Sequence, residues 1–293
     1  TAEAGSITLK DYFVSSSDRI ETISFDSDPA LDLSTGSVIF LGSPDVNGYY
    51  PAVTSGTTGS DIIFVSLTYA QYLMIPDPGN HRIYAAGYEG DDIIYCNYAV
   101  GYGGDGNDVF YGNDEMQGED GDDVFYIGVQ EGYGRAVVFG GNGDDTFYGA
   151  NDDILVYAQN DDDIIYGGDG NEGLFGGYGD DIIYGGNGDD SICSDLDYIG
   201  TYEYDGGGND LIYGGEGNDY IRTGSGDDIA YGGNGNDYID GGYAPPYMGT
   251  GGNLIATGNK YLHGDDGDDY IVDGAGDDTI TGDDGNDTII SIY

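Results

Sequence analysis

Aspartate is the residue type that could do chemistry in this chain, and it recurs at a fixed spacing. A nine-residue unit, Gly-Gly-x-Gly-x-Asp-x-apolar-x, repeats from the middle of the sequence to its end. Gly140–Tyr148 reads GGNGDDTFY, Gly176–Tyr184 GGYGDDIIY, Gly185–Cys193 GGNGDDSIC, Gly214–Arg222 GGEGNDYIR and Gly232–Asp240 GGNGNDYID. Copies that keep Gly at place four and Asp at place six begin at Gly56, Gly87, Gly103, Gly118, Asp205, Thr223, Gly264, Asp273 and Gly282. Carboxylates and turn carbonyls are hard oxygen donors, and the unit holds no soft ones. The chemistry this favours is binding of Ca²⁺, several ions along the chain.

The elements that would position these aspartates follow from the other residues of the unit. Glycine permits positive φ, so places one to six form a tight turn. Places seven to nine are β-formers such as Ile-Ile-Tyr, enough for a short strand. Neighbours on a strand face opposite ways, so place eight points inward and places seven and nine outward. Two units, 18 residues, make one flattened coil, and successive coils stack about 4.8 Å apart. The expected fold class is all-β, a parallel β-roll. One buried Ile or Phe per unit contributes about 1.5–3 kcal/mol. Ordering each residue costs on the order of 1 kcal/mol. The core alone cannot hold such a coil, and stacked aspartates repel; a divalent cation between turns answers both problems.

Units 18 residues apart should share an edge. Asp145, Asp163 and Asp181 then line one edge, while the other reads Ala136, Ile154, Glu172 and Asp190. Calcium is expected along the first edge, and along the second only from Glu172 and Asp190 onward. Further on, Asp210 stacks with Asp228, Asp219 with Asp237 and Asp269 with Asp287. Asp278 meets Lys260, whose ammonium could stand in for an ion. Asp92, Asp108 and Asp123 hold place six in the earlier copies. The bland alternative is that each place-six Asp only caps its own turn.

Place nine is aromatic. Tyr148, Tyr166 and Tyr184 should form a ladder on one sheet, and Phe139, Tyr157 and Phe175 a second on the other; Tyr213 and Tyr231 repeat the theme. A strand apolar on both faces is usually covered on both. The cover is a second copy of the chain, a surface glycan, or the chain's own N-terminal segment or an insertion. A stacked tyrosine face that tolerates water is the remaining alternative.

Composition bounds the rest. The 293 residues carry 56 acidic and 6 basic side chains, a net charge of -50, with Gly 57, Tyr 30 and no Trp. Such a balance disfavours nucleic acid and anionic membranes, and no apolar run is long enough to span a bilayer. The chain opens at Thr1 without a basic-then-apolar leader, so a leader has been removed or export proceeds without one. Cys96 and Cys193 are too few for a disulfide framework, though they could pair in an oxidising compartment. Residues 1–80, with fewer Gly and with Pro29, Pro44, Pro51, Pro76 and Pro78, read as an irregular all-β cap, an extension of the roll or a small sandwich. Residues 81–293 read as the roll, with loop insertions near 194–204 and 241–263. The last residues, Thr288 to Tyr293, carry no capping charge, as head-to-tail assembly would use. No zinc-protease or nucleophile-elbow motif is present. His81 and His263 have no evident acid or nucleophile partner and read as surface or loop residues, so no enzymatic role is expected.

The repeat resembles the RTX (repeats-in-toxin) nonapeptide proteins, exported bacterial proteins whose units form a calcium-binding parallel β-roll. The resemblance covers roughly 87–290, with an outlier at 56–64. It implies that place-six Asp binds Ca²⁺ together with turn carbonyls of the stacked neighbour. Together these readings lead to an extracellular or cell-surface bacterial protein that folds on calcium and self-assembles into a layer, fibril or adhesive array. The alternative is a secretion, folding or glycan-binding module of a larger exoprotein, such as a toxin, protease, lipase or polysaccharide-modifying enzyme.

Overall fold

The structure, a computed structural model, describes residues 58–64, 83–128, 135–195, 207–242 and 258–291 in full, with the backbone of the short strands Thr22–Ile23, Leu31–Asp32, Val38–Phe40 and Val53–Ser55. Every described regular element is a strand, and none is a helix long and apolar enough to cross a membrane. Consecutive strands alternate between two 12-stranded parallel sheets, so each coil gives one strand to each sheet. The register follows the unit. Thr146, Phe147 and Tyr148 pair with Ile164, Ile165 and Tyr166, which pair in turn with Ile182, Ile183 and Tyr184.

Place eight faces inward as the alternation requires. Phe147, Ile165, Ile183, Ile212, Ile221 and Ile239 are fully buried and line one continuous core. Phe110, Phe125 and Phe147 stack within it with centroids 4.8 Å apart. The core is one residue thick per strand, so each turn leans on its neighbours.

Three expectations need correction. The coil is not always 18 residues. Asp92, Asp108, Asp123 and Asp145 stack at steps of 16, 15 and 22, because the far edge there is not a nonapeptide turn. Cys96 and Val100 are bridged by a short turn in which Tyr98 takes a positive φ. The boundary at 80/81 does not separate the roll from what precedes it: Val38–Phe40, Val53–Ser55 and Ile62–Phe64 already belong to the two sheets. The second insertion ends before Gly258, since Tyr261–Asp266 pairs with Ile229–Asn234. Of the first insertion, expected near 194–204, residues 196–204 lie outside the described residues, as do 205–206, 243–257, His81 and most of residues 1–80. Cys96 and Cys193 are both free and buried.

Because the core is this thin, Phe125→Ala should cost about 3–5 kcal/mol in calcium-saturated urea denaturation. Tyr126→Ala, on the outer face of the same strand and 41% exposed, should cost no more than about 1.5 kcal/mol.

Candidate metal centre

The turn places each Asp in the same cradle. Its backbone amide donates to the Oδ1 of the Asp one coil further on: Asp145 to Asp163 at 2.7 Å, Asp163 to Asp181 at 2.9 Å, Asp219 to Asp237 at 2.8 Å. Where place one of its unit is glycine, its own Oδ2 lies against that glycine's Cα. A Cβ on Gly140 would collide with Oδ2 of Asp145 and with the carbonyl oxygen of Ala158 in the next coil. The same two oxygen types converge beside Gly87, Gly103, Gly118, Gly176 and Gly214. Glycine leaves this space open in these units, a second reason for the repeat's glycine beyond turn geometry, while the unit of Asp163 carries Ala158 at place one.

These bonds join the aspartates into two ladders. Among the described residues the first runs Asp61, Asp92, Asp108, Asp123, Asp145, Asp163, Asp181, Asp210, Asp228; the Lys260 ammonium then donates to Oδ2 of Asp228, and the Lys260 amide donates to Asp278 at 2.8 Å. The second runs Glu172, Asp190, Asp219, Asp237, Asp269, Asp287. On that edge the buried Ala136 and Ile154 stack ahead of Glu172. Both ladders continue across the insertions, at steps of 29 and 32 residues.

The second oxygen of these carboxylates is what the fold leaves unanswered. Oδ2 of Asp92, Asp108, Asp123, Asp145, Asp163, Asp181, Asp190, Asp210, Asp219, Asp237 and Asp269, and both oxygens of Glu172, are buried without a hydrogen-bond partner. A buried acceptor facing another acceptor is strongly unfavourable unless a proton or a cation lies between them. Burial pushes Asp92, Asp145 and Asp181 up to about 8, Asp123 and Asp210 to about 9 and Asp163 to about 10. Neighbouring carboxylates add to the rise, and the accepted amide opposes it. Asp108 and Asp219 rise to about 7 and Asp237 to about 6 for the same leading reason. Glu172, Asp190 and Asp269 are also raised by burial. Hard oxygens that face carbonyls with no hydrogen-bond donor between them fit a calcium ion once deprotonated.

Lys260 supplies an internal comparison. Its side chain is 1% exposed, and its ammonium donates to Oδ2 of Asp228 at 2.7 Å and to the carbonyl of Gly226 at 2.5 Å. Asp228 thus has its second oxygen satisfied where a cation is built into the chain. The expected meeting with Asp278 is made by the Lys260 backbone, and the ammonium points the other way.

Two further carboxylates belong to this set although the repeat does not assign them. Asp61, in the outlying unit at Gly56, is fully buried and heads the first ladder. Asp195 lies outside any unit. Its Oδ2 accepts the Ser225 amide, its Oδ1 is buried without a partner, and burial pushes it up to about 7. Place six of the Gly56 copy could have flagged the first; no sequence signal marks the second. Asp278 and Asp287, in the final coils, are only partly buried.

The aromatic residues form longer ladders than their spacing shows. Tyr148, Tyr166, Tyr184, Tyr213 and Tyr231 stack in one column that runs, among the described residues, from Phe64 to His263, with centroids 4.6–5.3 Å apart. Phe139, Tyr157 and Phe175 stack on the other sheet. Further along that sheet place nine holds Cys193, Arg222, Asp240 and Val272, all buried. The exposed column there is at place seven, Tyr220, Tyr238 and Tyr270.

Two predictions follow from the buried carboxylates. Their values in the metal-free fold lie above the unfolded ones, so protonation stabilises that fold at low pH, and this is lost as pH rises through about 6 to 10. Calcium needs the deprotonated form. Acidification from about pH 8 to pH 5 should therefore raise the calcium concentration needed for folding and increase the β signal of the metal-free chain, both read by circular dichroism. Separately, Lys260→Asp should raise the calcium stoichiometry of the folded chain, and Lys260→Met should lower its thermal stability without raising stoichiometry, as measured by calorimetry.

The family model of the RTX calcium-binding nonapeptide repeat matches residues 102–129, 132–155, 139–171, 155–177, 166–197, 204–230, 213–242 and 261–291. No curated protein matches the chain. Repeats over more than half the sequence, a parallel roll built from them and a cradle fitted to a hard cation agree, and the chain belongs to the RTX calcium-binding nonapeptide repeat family.

Proposed function

We propose that this chain is an extracellular structural protein whose roll folds when calcium binds along its two carboxylate ladders. The single observation that carries this reading is the row of buried Oδ2 atoms without a hydrogen-bond partner, which face a carbonyl oxygen wherever place one is glycine. Asp92, Asp108, Asp123, Asp145, Asp163, Asp181 and Asp210 would hold ions on the first ladder. Glu172, Asp190, Asp219, Asp237 and Asp269 would hold them on the second, with Asp278 and Asp287 weaker at the final coils. Asp228 holds the Lys260 ammonium instead. The ion supplies positive charge between carboxylate and carbonyl. The chain's own part is to orient both oxygens and to keep water out with the place-eight core. Calcium is scarce inside cells and abundant outside, so a net charge of -50 keeps the chain open before export and the ions close it afterwards. No part of this reading uses a catalytic group.

The aromatic column is the surface through which copies of the chain would associate. Tyr111, Tyr126, Tyr148 and Tyr166 are 37–41% exposed on its outer face, an apolar strip flanked by acidic turns that calcium neutralises.

Two measurements test these halves separately. Circular dichroism should show the β signal collapsing when EDTA removes calcium at pH 8; a full β signal in EDTA would end the folding reading. Negative-stain microscopy in millimolar Ca²⁺ should show filaments or sheets that Tyr148→Ser/Tyr166→Ser disperses. Dispersed particles of the unaltered chain would remove assembly and favour a module of a larger exoprotein.

A further inference from the structure

The last turns of the roll bring together a donor set unlike the rest. His263 occupies place nine of its unit, in strand Tyr261–Asp266, paired with Thr281 of strand Thr279–Thr281. It is therefore not the partnerless loop residue the sequence suggests. Its Nδ1 lies 3.2 Å from Oδ2 of Asp283. Asp265 and Asp283 stand at place two of consecutive coils, where glycine is the usual residue. Both keep glycine's left-handed backbone, at φ 69° and 58°. One donor atom from each of His263, Asp265 and Asp283 falls within 4.8 Å of the other two.

We propose that His263, Asp265 and Asp283 form a site for a first-row divalent cation of the Zn²⁺ type, separate from the calcium ladders. The donor chemistry decides the class. Calcium selects all-oxygen sets, whereas an imidazole with two carboxylates suits zinc and its neighbours. Three protein ligands leave room for water or a partner's group in the remaining position. The surroundings hold each ligand in place. Thr281 donates its hydroxyl to Oδ1 of Asp283 at 2.9 Å, leaving Oδ2 for the ion. The His263 ring packs on Tyr231 and Tyr261, with centroids 5.0 and 5.5 Å away. The ladder carboxylates Asp269 and Asp287 close the same turns that Asp265 and Asp283 open, and contribute none of these atoms.

The test uses the full chain in millimolar Ca²⁺, so that the roll is folded and its oxygen sites are filled. Titration with Zn²⁺ by calorimetry should show one further equivalent binding at micromolar concentration or tighter. His263→Asn and Asp265→Asn should each weaken that uptake at least tenfold while the calcium-saturated β signal stays unchanged. In the unaltered chain, substoichiometric Co²⁺ should shift and broaden the His263 ring resonances and leave those of His81, the only other histidine, untouched; this reading does not depend on any variant folding. No uptake beyond calcium, uptake undiminished in His263→Asn, or Co²⁺ broadening confined to His81 would each overturn the site.

Discussion

At most of the described ladder turns a buried carboxylate oxygen faces a carbonyl oxygen with no donor between them. Each Asp resolves half of its own problem by accepting an amide from the neighbouring coil through Oδ1, and leaves Oδ2 against the carbonyl. The rest of the structure depends on how that second contact is satisfied. A proton can do it, as the raised affinities of Asp163 and Asp123 for protons indicate, and an ammonium does it once, at Asp228. A calcium ion does it with two charges and room for several oxygens. The place-one glycine, the inward Ile or Phe and the parallel stacking all serve to hold this pair of oxygens at constant separation.

Much of this was legible in the residues because the unit is short and its parts have separate jobs. Alternation at places seven to nine identified Phe147, Ile165 and Ile183 as core, and the 18-residue step put Asp145, Asp163 and Asp181 on one edge. Legibility failed where the coil length changes. The steps of 16 and 15 residues from Asp92 to Asp108 and from Asp108 to Asp123 arise from two short far turns, one at Tyr98 and one at Asn113 and Asp114, that carry no repeat signature. Spacing from one unit to the next therefore could not register them. The same holds for Asp195, which reaches the cradle from outside any unit, and for the continuation of both ladders across the insertions. Nonlocal stacking, which a linear pattern does not encode, decides these cases.

The outer faces follow a different logic. The column from Phe64 to His263 is regular because it inherits the period of the carboxylate ladder beneath it. Parallel in-register stacking places identical residues above one another, and near-parallel rings 5 Å apart each add a little to the stability of the sheet. On the other sheet, place nine is buried in the later coils and the aromatic column stands at place seven, at Tyr220, Tyr238 and Tyr270. The two faces are therefore chemically distinct surfaces on one solenoid.

The most direct test of the central constraint is calcium-edge anomalous diffraction from crystals of the full chain grown in millimolar Ca²⁺. The account predicts peaks beside Oδ2 of Asp145, Asp163, Asp181 and Asp219, with none between Asp228 and Lys260. Peaks confined to the exposed place-five carboxylates such as Asp144 and Asp162, or no ordered peaks in a folded roll, would contradict it.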